Sequence, residues 1–375
     1  MQPRQRFELI AKQTEEILTK EDLNELLNSE QPLNHYIGFE ISGQLHIGSG
    51  LMSLYKIKDF QQAGVNCKIF LADWHTVLNN KLGGDPAKIK KLAISYFKEA
   101  LIASARCAGA DPQKIEFILG SDLYHNNDAY WQSLIDISKN LTLSRVVKSS
   151  TIMGKLQGGD QAFARLMYPP MQVNDIFNLN INLAHAGMDQ RKAHVIAREV
   201  ATQLKIKPLL NPQNHPIKPV CAHHPLILGL TKPPVWPVKK EDLRETLSAM
   251  KMSKSNPASC VFITDSPDEI RSKIQQAFCP PREVSYNPIL NWVQHLLYRG
   301  SEDRELVIKR EVQHGGSLIV NTYQELEDIY ARGDLHPNDL KPAVAQAIID
   351  LLEPARKYFE AEERKWALEE MKKVA

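Results

Sequence analysis

A glycine-rich turn near the start of the chain carries residue types suited to binding phosphate. The run Gly43-Gln-Leu-His46-Ile-Gly48-Ser49-Gly50 follows a predicted strand and opens a predicted helix. The first turn of a helix leaves N–H groups unpaired and carries the positive end of the helix dipole, so it attracts phosphate. Gly48 lets a base or ribose approach the backbone, and His46 can donate to a phosphate oxygen. A tight turn with a capping histidine explains the same letters, and the segment alone does not separate the two.

A second segment, about 200 residues further on, concentrates lysines and hydroxyls. Lys251-Met-Ser253-Lys254-Ser255 lies in a polar run of small residues, about 249–258, which is predicted to be a mobile loop. Two ammonium groups on such a loop can close over a polyphosphate and stabilise the charge that develops when a carboxylate attacks an α-phosphorus. Taken alone, the run is also typical of a solvated loop.

Together and in this order, the two segments resemble the HIGH and KMSKS signatures of the class I aminoacyl-tRNA synthetases. KMSKS is present letter for letter, whereas the fourth position of the first signature holds Ser49 in place of histidine. One imidazole donor is therefore absent, although the hydroxyl of Ser49 can still donate a hydrogen bond. The resemblance implies ATP as a substrate, with Mg²⁺ on its phosphates. It implies as catalytic residues His46, Gly48, Ser49, Lys251, Ser253 and Lys254.

A third set of motifs is similar to the tyrosyl-tRNA synthetases of the archaeal and eukaryotic kind. The motifs are YIGFE at 36–40, LADWH at 71–75, YPPMQVND at 168–175 and GMDQRK at 187–192, and the similarity continues to HPNDLK at 336–341. The resemblance implies a tyrosine pocket formed by Tyr36, Gly38, Glu40, Ala72, His75, Tyr168, Gln172, Asp175 and Gln190. In that pocket Tyr36 and Asp175 would contact the substrate phenol. The α-amino group would meet Tyr168, Gln172 and Gln190.

Physical chemistry agrees with a tyrosine pocket, because a buried carboxylate left unpaired by phenylalanine would disfavour that substrate. On spacing alone, Tyr168 and Asp175 also fit the polar edge of an ordinary core helix. The resemblance further implies ATP contacts at Gly48, Gly187, Asp189, Lys251 and Lys254.

Contacts with tRNA are also implied by the resemblance. Arg191 and Lys192 would meet the first acceptor-stem base pair, and His336 and Asp339 the first anticodon base. His314 would stack on that base, although an aromatic ring is more usual there. Residues 137–159 form a basic strip with Lys139, Arg145, Lys148, Lys155 and no acid. The strip suits acceptor-stem phosphates, and equally a solvated helix face at a dimer interface.

The elements that must position these residues follow from the apolar pattern. Strands are predicted at 35–43, 67–75 and 114–120, with helices at 51–64 and 86–108 between them. This alternation is typical of a parallel doubly wound sheet, and it resumes with a strand at 181–187 and a helix at 190–204. The remaining predictions are one helix over 8–28, a helical connecting insertion at about 125–165 and a proline-rich surface connection over 207–237.

Charge and composition change near residue 263. Residues 263–375 carry fifteen Lys and Arg against twenty Asp and Glu, whereas the whole chain has a formal charge of +2. A chain of 375 residues suffices for two or three domains. We therefore predict an α/β fold with a Rossmann-type parallel-sheet catalytic domain at 1–262 that contains the helical insertion. A mainly α-helical domain at 263–375 would follow, and the resemblance makes it the anticodon-binding domain.

Composition also excludes some classes of protein. Apolar runs are too short for a membrane helix, and the first residues lack a secretory signal pattern. Five dispersed cysteines without CxxC suit a reducing compartment, so a cytoplasmic protein is expected, and the resemblance implies a homodimer. Cys221-Ala-His223-His224 offers three metal-binding side chains. Adjacent histidines on an extended chain point to opposite faces, however, so no structural metal is expected.

The resulting hypothesis is an enzyme that joins L-tyrosine to ATP, giving tyrosyl-adenylate and pyrophosphate, and then moves the tyrosyl group to the 3′ end of tRNA(Tyr). Three alternatives stay open. A tryptophanyl-tRNA synthetase shares the fold, but an indole offers no phenol to Tyr36 and Asp175. An HxGH-type nucleotidyltransferase normally lacks the large C-terminal domain. A synthetase-derived RNA-binding protein would make Ser49 a trace of lost activity.

Overall fold

A six-stranded sheet forms the centre of the molecule. The computed structural model describes residues 1–154, 162–238, 250–254, 256–299 and 305–374. The strands are β1 (Glu16–Leu18), β2 (Asn34–Phe39), β3 (Asn66–Leu71), β4 (Ile115–Leu119), β5 (Leu183–Gly187) and β6 (Val220–His224). Their order is β1-β6-β5-β2-β3-β4, and every neighbouring pair is parallel except β1 and β6. The predicted parallel α/β sheet is therefore confirmed.

Helices cover both faces of this sheet. In chain order they are α1 (Pro3–Ala11), α2 (Lys20–Asn28), α3 (Ile47–Gln62), α4 (Asp73–Leu78), α5 (Pro86–Leu92), α6 (Lys98–Ala108), α7 (Gly120–Tyr124), α8 (Asp128–Lys139), α9 (Leu143–Ser149), α10 (Tyr168–Asn178) and α11 (Arg191–Val200). Successive strand residues point to opposite faces, so Ile37 and Ile69 pack in the core that includes α3 and α6. Tyr36 and Phe70 pack in the other core with α8, α10 and α11.

Two sequence predictions are wrong in this part of the chain. The single helix over 8–28 is divided into α1 and α2 by β1, which pairs antiparallel with β6 at the sheet edge. Ile17 and Leu18 fit a helical period, but the side chain of Thr19 caps α2 and thereby starts a new helix. The proline-rich stretch 207–237 is not only a surface connection, because it contains β6, whose five residues are all buried.

The other predicted elements are confirmed with small changes. The helix over 86–108 contains a π-helical turn at 93–97 between α5 and α6. The connecting insertion between β4 and β5 is helical, with α8 and α9 in its described part. α10 has a buried polar edge that carries Asp175. This edge lies on the face of the sheet that packs against α8, α10 and α11.

The C-terminal part is mainly helical, as predicted. It contains α12 (Pro267–Gln276), α13 (Pro288–Trp292), α14 (Tyr323–Arg332), α15 (Pro337–Tyr358) and α16 (Glu362–Lys372). A hairpin of β7 (Leu306–Ile308) and β8 (Leu318–Val320) was not predicted. Ser266 caps α12 in a capping box with Glu269, as the first-turn acids indicated. In the described ranges, none of the helices is long and apolar enough to span a membrane.

Contacts join the C-terminal helices to the sheet region. Tyr55 of α3 donates its hydroxyl to the carbonyl of Leu296 over 3.0 Å. The indole of Trp292 donates to the carbonyl of Leu228 over 2.7 Å. The apolar core is continuous across position 263, so the boundary placed there stays a prediction.

Candidate active site

The two signature segments lie side by side. The amide of Ile47 donates to the carbonyl of Val261 over 3.0 Å, and that of Ile263 donates to Leu45 over 3.0 Å. A Cβ built on Gly48 would lie 3.2 Å from the sulfur of Met252. Gly48 therefore allows the lysine-bearing loop to pack against the first turn of α3.

His46 is the N-cap of α3 and contacts the fourth signature residue. Its Nδ1 accepts from the amide of Ser49 over 3.2 Å, and its Nε2 lies 3.0 Å from the hydroxyl of Ser49. Burial, with Lys254 and Lys251 nearby, lowers the pKa of His46 to about 3, so the ring is neutral. Because Nδ1 is an acceptor, the hydrogen lies on Nε2 and points to Ser49. Ser49 therefore hydrogen-bonds the histidine that was predicted to contact phosphate.

The two lysines of the loop are held by different partners. Lys254 donates to the hydroxyl of Ser42 over 3.1 Å and lies 5.0 Å above the ring of Phe97. Burial lowers the pKa of Lys254 to about 8, although the carboxylate of Glu40 opposes this shift. Lys251 pairs with Asp189 over 3.1 Å. The loop thus connects the helix terminus to the strand end that carries Asp189.

The remaining polar residues of the KMSKS segment are Ser253 and Ser255. The carbonyl of Ser253 accepts from the hydroxyl of Ser259 over 3.3 Å. Ser255 lies outside the described residues. The contact of Ser42 with Lys254 was not predicted, because a single serine before the glycine-rich turn forms no recognisable pattern.

Asp175 is a buried acid at one end of the predicted tyrosine pocket. Its carboxylate accepts from the hydroxyl of Tyr130 over 2.9 Å and from that of Tyr124 over 3.2 Å. Burial raises the pKa of Asp175 to about 8. Both tyrosines were missed by the sequence analysis, because they lie about 50 residues away in the connecting insertion and the helix before it. Only the apolar face of α8 hinted that Tyr130 is buried.

His75 and Tyr36 complete this end of the pocket. Nε2 of His75 lies 3.7 Å from Asp175, and burial lowers the pKa of His75 to about 3, so a neutral ring faces the carboxylate. Tyr36 is buried beside Phe70. Gly38 is the one exposed residue in the second half of β2, and a Cβ there would lie 3.5 Å from the hydroxyl of Tyr36. The glycine therefore leaves open space beside that hydroxyl, while Ala72 is buried at the start of α4.

Polar groups surround the opposite end of the pocket. The hydroxyl of Tyr168 is hydrogen-bonded to Glu40, which also accepts from Asn79 over 2.9 Å. Gln172 donates to the side-chain oxygen of Gln190 over 3.3 Å. The oxygen of Gln172 is buried and has no partner among the described residues, so it can accept a hydrogen bond from a ligand. The predicted pocket residues are thus brought together.

Gly187 and Asp189 lie at the carboxyl end of β5. A Cβ on Gly187 would lie 2.9 Å from Oδ1 of Asp189 and 2.9 Å from the side chain of Leu226. A side chain at this position would collide with Asp189 and Leu226, so glycine lets these two side chains approach the backbone closely. The carboxyl ends of parallel strands are the usual position of nucleotide sites in such sheets.

The residues predicted to contact tRNA lie in two separate places. Arg191 forms a two-bond ion pair with Glu16, with distances of 2.7 and 2.8 Å. Lys192 donates to the carbonyl of Lys148 and to the hydroxyl of Thr151. From the basic strip, Arg145 pairs with Glu199, while Lys155 lies outside the described residues. The strip is therefore partly neutralised.

The second place is at the C-terminal helices. His314 is exposed and precedes Gly315, whose φ is +89°. His336 is the N-cap of α15 and accepts from the amide of Asn338 over 3.2 Å, with Asp339 in the first turn. Arg310 donates to the carbonyls of Gly316 and Asp334, over 2.9 Å each. This arginine holds the turn after His314 close to the residues that precede His336.

Within the described ranges, no three or more His, Cys, Asp or Glu side chains are grouped so that they could hold a metal ion. His223 and His224 point to opposite faces of β6, as their adjacency predicted. His223 contacts His194 and Glu16, whereas His224 contacts His185.

Comparisons with known proteins show the family of this chain. The family model described as tRNA synthetases class I (W and Y) matches residues 28–353, and the chain belongs to that family. A tyrosine–tRNA ligase of Pyrococcus abyssi is 53% identical over 94% of this chain and 93% of its own length. A tyrosine–tRNA ligase of Pyrococcus furiosus is 53% identical over 95% of this chain and 95% of its own length.

A solved structure is equally similar. The tyrosyl-tRNA synthetase of Pyrococcus horikoshii, complexed with L-tyrosine, is 51% identical with a TM-score of 0.95 and covers 100% of both chains. Within the class I family, the chain therefore belongs to the tyrosine–tRNA ligases.

Proposed function

We propose that this protein activates L-tyrosine with ATP and transfers the tyrosyl group to tRNA(Tyr), using the site described above. The observation that carries the proposal is Asp175, a buried carboxyl group that accepts from two tyrosine hydroxyls and acts on the nearby Tyr36. Such a carboxylate loses a hydrogen bond when the substrate lacks a phenol. Membership of the tyrosine–tRNA ligases supports the same reaction.

In the first step, the pocket would hold tyrosine between its two polar ends. The phenol would lie at Asp175 and Tyr36, and the ammonium group at Tyr168, Gln190 and the unpaired oxygen of Gln172. The tyrosine carboxylate attacks the α-phosphorus of ATP, a new C–O–P bond forms and the bond to pyrophosphate breaks. No side chain becomes covalently bound, so rate acceleration comes from positioning and charge stabilisation.

The phosphates would lie between the first turn of α3 and the lysine loop. Ser49 and the backbone at Gly48 would donate hydrogen bonds, and His46 would act through the Ser49 hydroxyl that it contacts, while Lys251 and Lys254 neutralise the charge on pyrophosphate. Gly187 and Asp189 would hold the nucleoside. Mg²⁺ bound to the phosphates of ATP would add positive charge there.

In the second step, a terminal ribose hydroxyl of tRNA attacks the carbonyl carbon of tyrosyl-adenylate, and AMP leaves. Arg191 and Lys192 would contact the first acceptor-stem base pair, supported by the basic strip. His336 and Asp339 would read the first anticodon base, with His314 stacked against it. The bridge made by Arg310 supports this grouping, because it keeps the two histidine-bearing segments together.

A homodimer in the cytoplasm completes the proposal. Exposed apolar side chains on the connecting insertion support a dimer, with Ile135 61% and Leu143 67% exposed. All five cysteines carry free thiols, which supports a reducing compartment.

The test is amino-acid-dependent ATP–pyrophosphate exchange with tyrosine, phenylalanine and tryptophan in parallel. Exchange with tyrosine alone is the expected result. Exchange with tryptophan would contradict the roles of Tyr36 and Asp175. Folded protein that exchanges with none of the three would favour an RNA-binding role instead. Aminoacylation of tRNA(Tyr) transcript then tests the second step, and sedimentation tests the dimer.

A further inference from the structure

Three buried histidines form a hydrogen-bonded row across the middle of the sheet. Nε2 of His35 lies 3.2 Å from Nδ1 of His185, and Nε2 of His185 lies 2.8 Å from Nδ1 of His224. Their exposed fractions are 0%, 1% and 6%. None of the reaction steps described above uses these side chains.

The strand register carries this row toward the nucleotide end of the site. His35 on β2 is opposite Leu183 on β5, and His224 on β6 is opposite Gly187. The row therefore runs diagonally across the sheet, from His35 on β2 through His185 on β5 to His224 at the carboxyl end of β6. His224, its last member, lies beside the residues proposed to hold the nucleoside.

The hydrogens of the row can be arranged in only two ways. Burial lowers the pKa of all three rings, to about 3 for His35 and about 4 for His224, so each ring is neutral with one N–H. Two ring-to-ring contacts need one hydrogen each. Either every ring donates toward His224, which leaves an N–H on its Nε2, or every ring donates toward His35, which leaves an N–H on Nδ1 of His35.

Burial and charge favour the first arrangement. Nδ1 of His35 is buried without a partner, and a buried unpaired N–H is costly and rare in native proteins. The ammonium of Lys56 acts on His35 and disfavours a hydrogen at that end. The carboxylate of Asp189 is the largest charge effect on His224 and favours a hydrogen at the other end, although Lys56 and Arg299 oppose it. Both charges direct the N–H of the row toward the site.

Nε2 of His224 and Oδ1 of Asp189 both lie close to Gly187, together with the side chain of Leu226. They are 3.4 and 2.9 Å from the same point, where a Cβ on Gly187 would be. Across the part of the chain that the structure describes, no protein group accepts from this Nε2. A group that both accepts and donates would suit this donor and acceptor, and in ATP the ribose hydroxyls have that property.

We propose that His224 donates from Nε2 to a ribose hydroxyl of the bound nucleotide, whose own hydrogen goes to Asp189. His35 and His185 are positioning residues that hold His224 in the donating tautomer. This proposal rests on the nucleotide role of Asp189 given above. It adds a residue that selects ribonucleotides over their deoxy forms.

The experiment compares ATP with 2′-deoxyATP and 3′-deoxyATP, by kcat/KM in tyrosine-dependent pyrophosphate exchange and by calorimetric binding. Wild-type protein is expected to prefer ATP over one deoxy analogue by about tenfold, the value of one hydrogen bond. His224→Ala should lose about tenfold for ATP and almost nothing for that analogue, so the preference falls to about one. His224→Gln, which keeps an N–H donor, should restore part of it.

Two variants separate this role from a loss of packing. His185→Phe does not touch the nucleotide, yet it should weaken the preference because His224 loses the donor that holds its tautomer. His194→Phe is the matched control, since His194 is equally buried but contacts His223 on the opposite face of the sheet. An unchanged ratio of ATP to deoxy analogue in folded His224→Ala would overturn the proposal. Failure of wild-type exchange would count against the proposed function, and calorimetry would still decide the role of His224.

Discussion

The hydroxyl of Ser49 lies 3.0 Å from Nε2 of His46, within the first turn of α3. His46 is neutral and its Nδ1 accepts from the amide of Ser49, so this contact uses the only N–H of the ring. Ser49 therefore receives the hydrogen of His46 and can pass its own to a ligand. A serine at the fourth signature position thus keeps a donor in the phosphate site.

Ser49→Ala should lower the rate of tyrosyl-adenylate formation by about tenfold, because one hydrogen bond to the developing charge is lost. The KM for tyrosine should not change, since Ser49 does not line the tyrosine pocket. Ser49→Thr keeps the hydroxyl and serves as the control. Single-turnover adenylate formation measures both, and equal rates for Ser49→Ala and wild type would remove Ser49 from the phosphate site.

Lys254→Ala should lower adenylation by about a hundredfold or more while tyrosine affinity stays nearly the same, because its charge is needed at the transition state. Loss of tyrosine binding with an unchanged rate would contradict this role.

Lys254 also predicts that the activity of the wild-type protein depends on pH. Its pKa is lowered to about 8, so the charged form disappears as pH rises through that value. The kcat/KM for ATP should fall above about pH 8 in wild type and stay flatter in Lys254→Arg.

Asp175→Ala should damage tyrosine selection more than any other single change in the pocket. Removing the carboxylate leaves Tyr124 and Tyr130 without their acceptor and removes the partner of the substrate phenol. The ratio of kcat/KM for tyrosine over phenylalanine should fall by about a hundredfold or more. Exchange kinetics with both amino acids provide the measurement, and a retained preference for tyrosine would place Asp175 outside the pocket.

Asp175 also predicts how stability depends on pH. Its pKa is about 8 in the folded protein and about 4 in the unfolded chain, so between these values the folded state holds a proton that the unfolded state has released. The free energy of unfolding should therefore fall as pH rises from about 4 to 8, by at most about 1.4 kcal/mol per pH unit from this group.

Asp175→Asn removes this contribution. Urea titrations of both proteins across that range should show the variant gaining stability relative to wild type as pH rises. A constant difference across the range would mean that Asp175 is ionised in the empty pocket.

Arg191→Ala should impair aminoacylation without impairing amino-acid activation. The Arg191 guanidinium pairs with Glu16 on β1 and is not among the groups proposed to hold tyrosine or ATP, so exchange should remain within about twofold of wild type. The KM for tRNA(Tyr) transcript should rise about tenfold, as expected for one lost charged contact. A matched loss in both assays would indicate that the ion pair with Glu16 is needed for folding instead.

Much of the fold could be predicted because the apolar runs of β2 to β5 are long and bounded by clear turns. The two errors have physical reasons. Ile17 and Leu18 fit a helical period, but their segment pairs with β6 through backbone hydrogen bonds. β6 was not predicted because it lies in a proline-rich stretch. β6 also ends in two histidines, and polar residues are not typical of a strand whose five residues are all buried. The hairpin of β7 and β8 has only three residues per strand, too few for a period to be recognised.

The sequence by itself determined the letters of both signatures, the residue types of the tyrosine pocket and the change in charge near residue 263. Only the tertiary structure decided which groups satisfy one another: Tyr130 with Asp175, Ser49 with His46, and His185 between His35 and His224. The reason is physical. Periodicity reports how each segment is buried, but a hydrogen bond between residues as far apart as His35 and His185 depends on strand order and register, which no local pattern encodes.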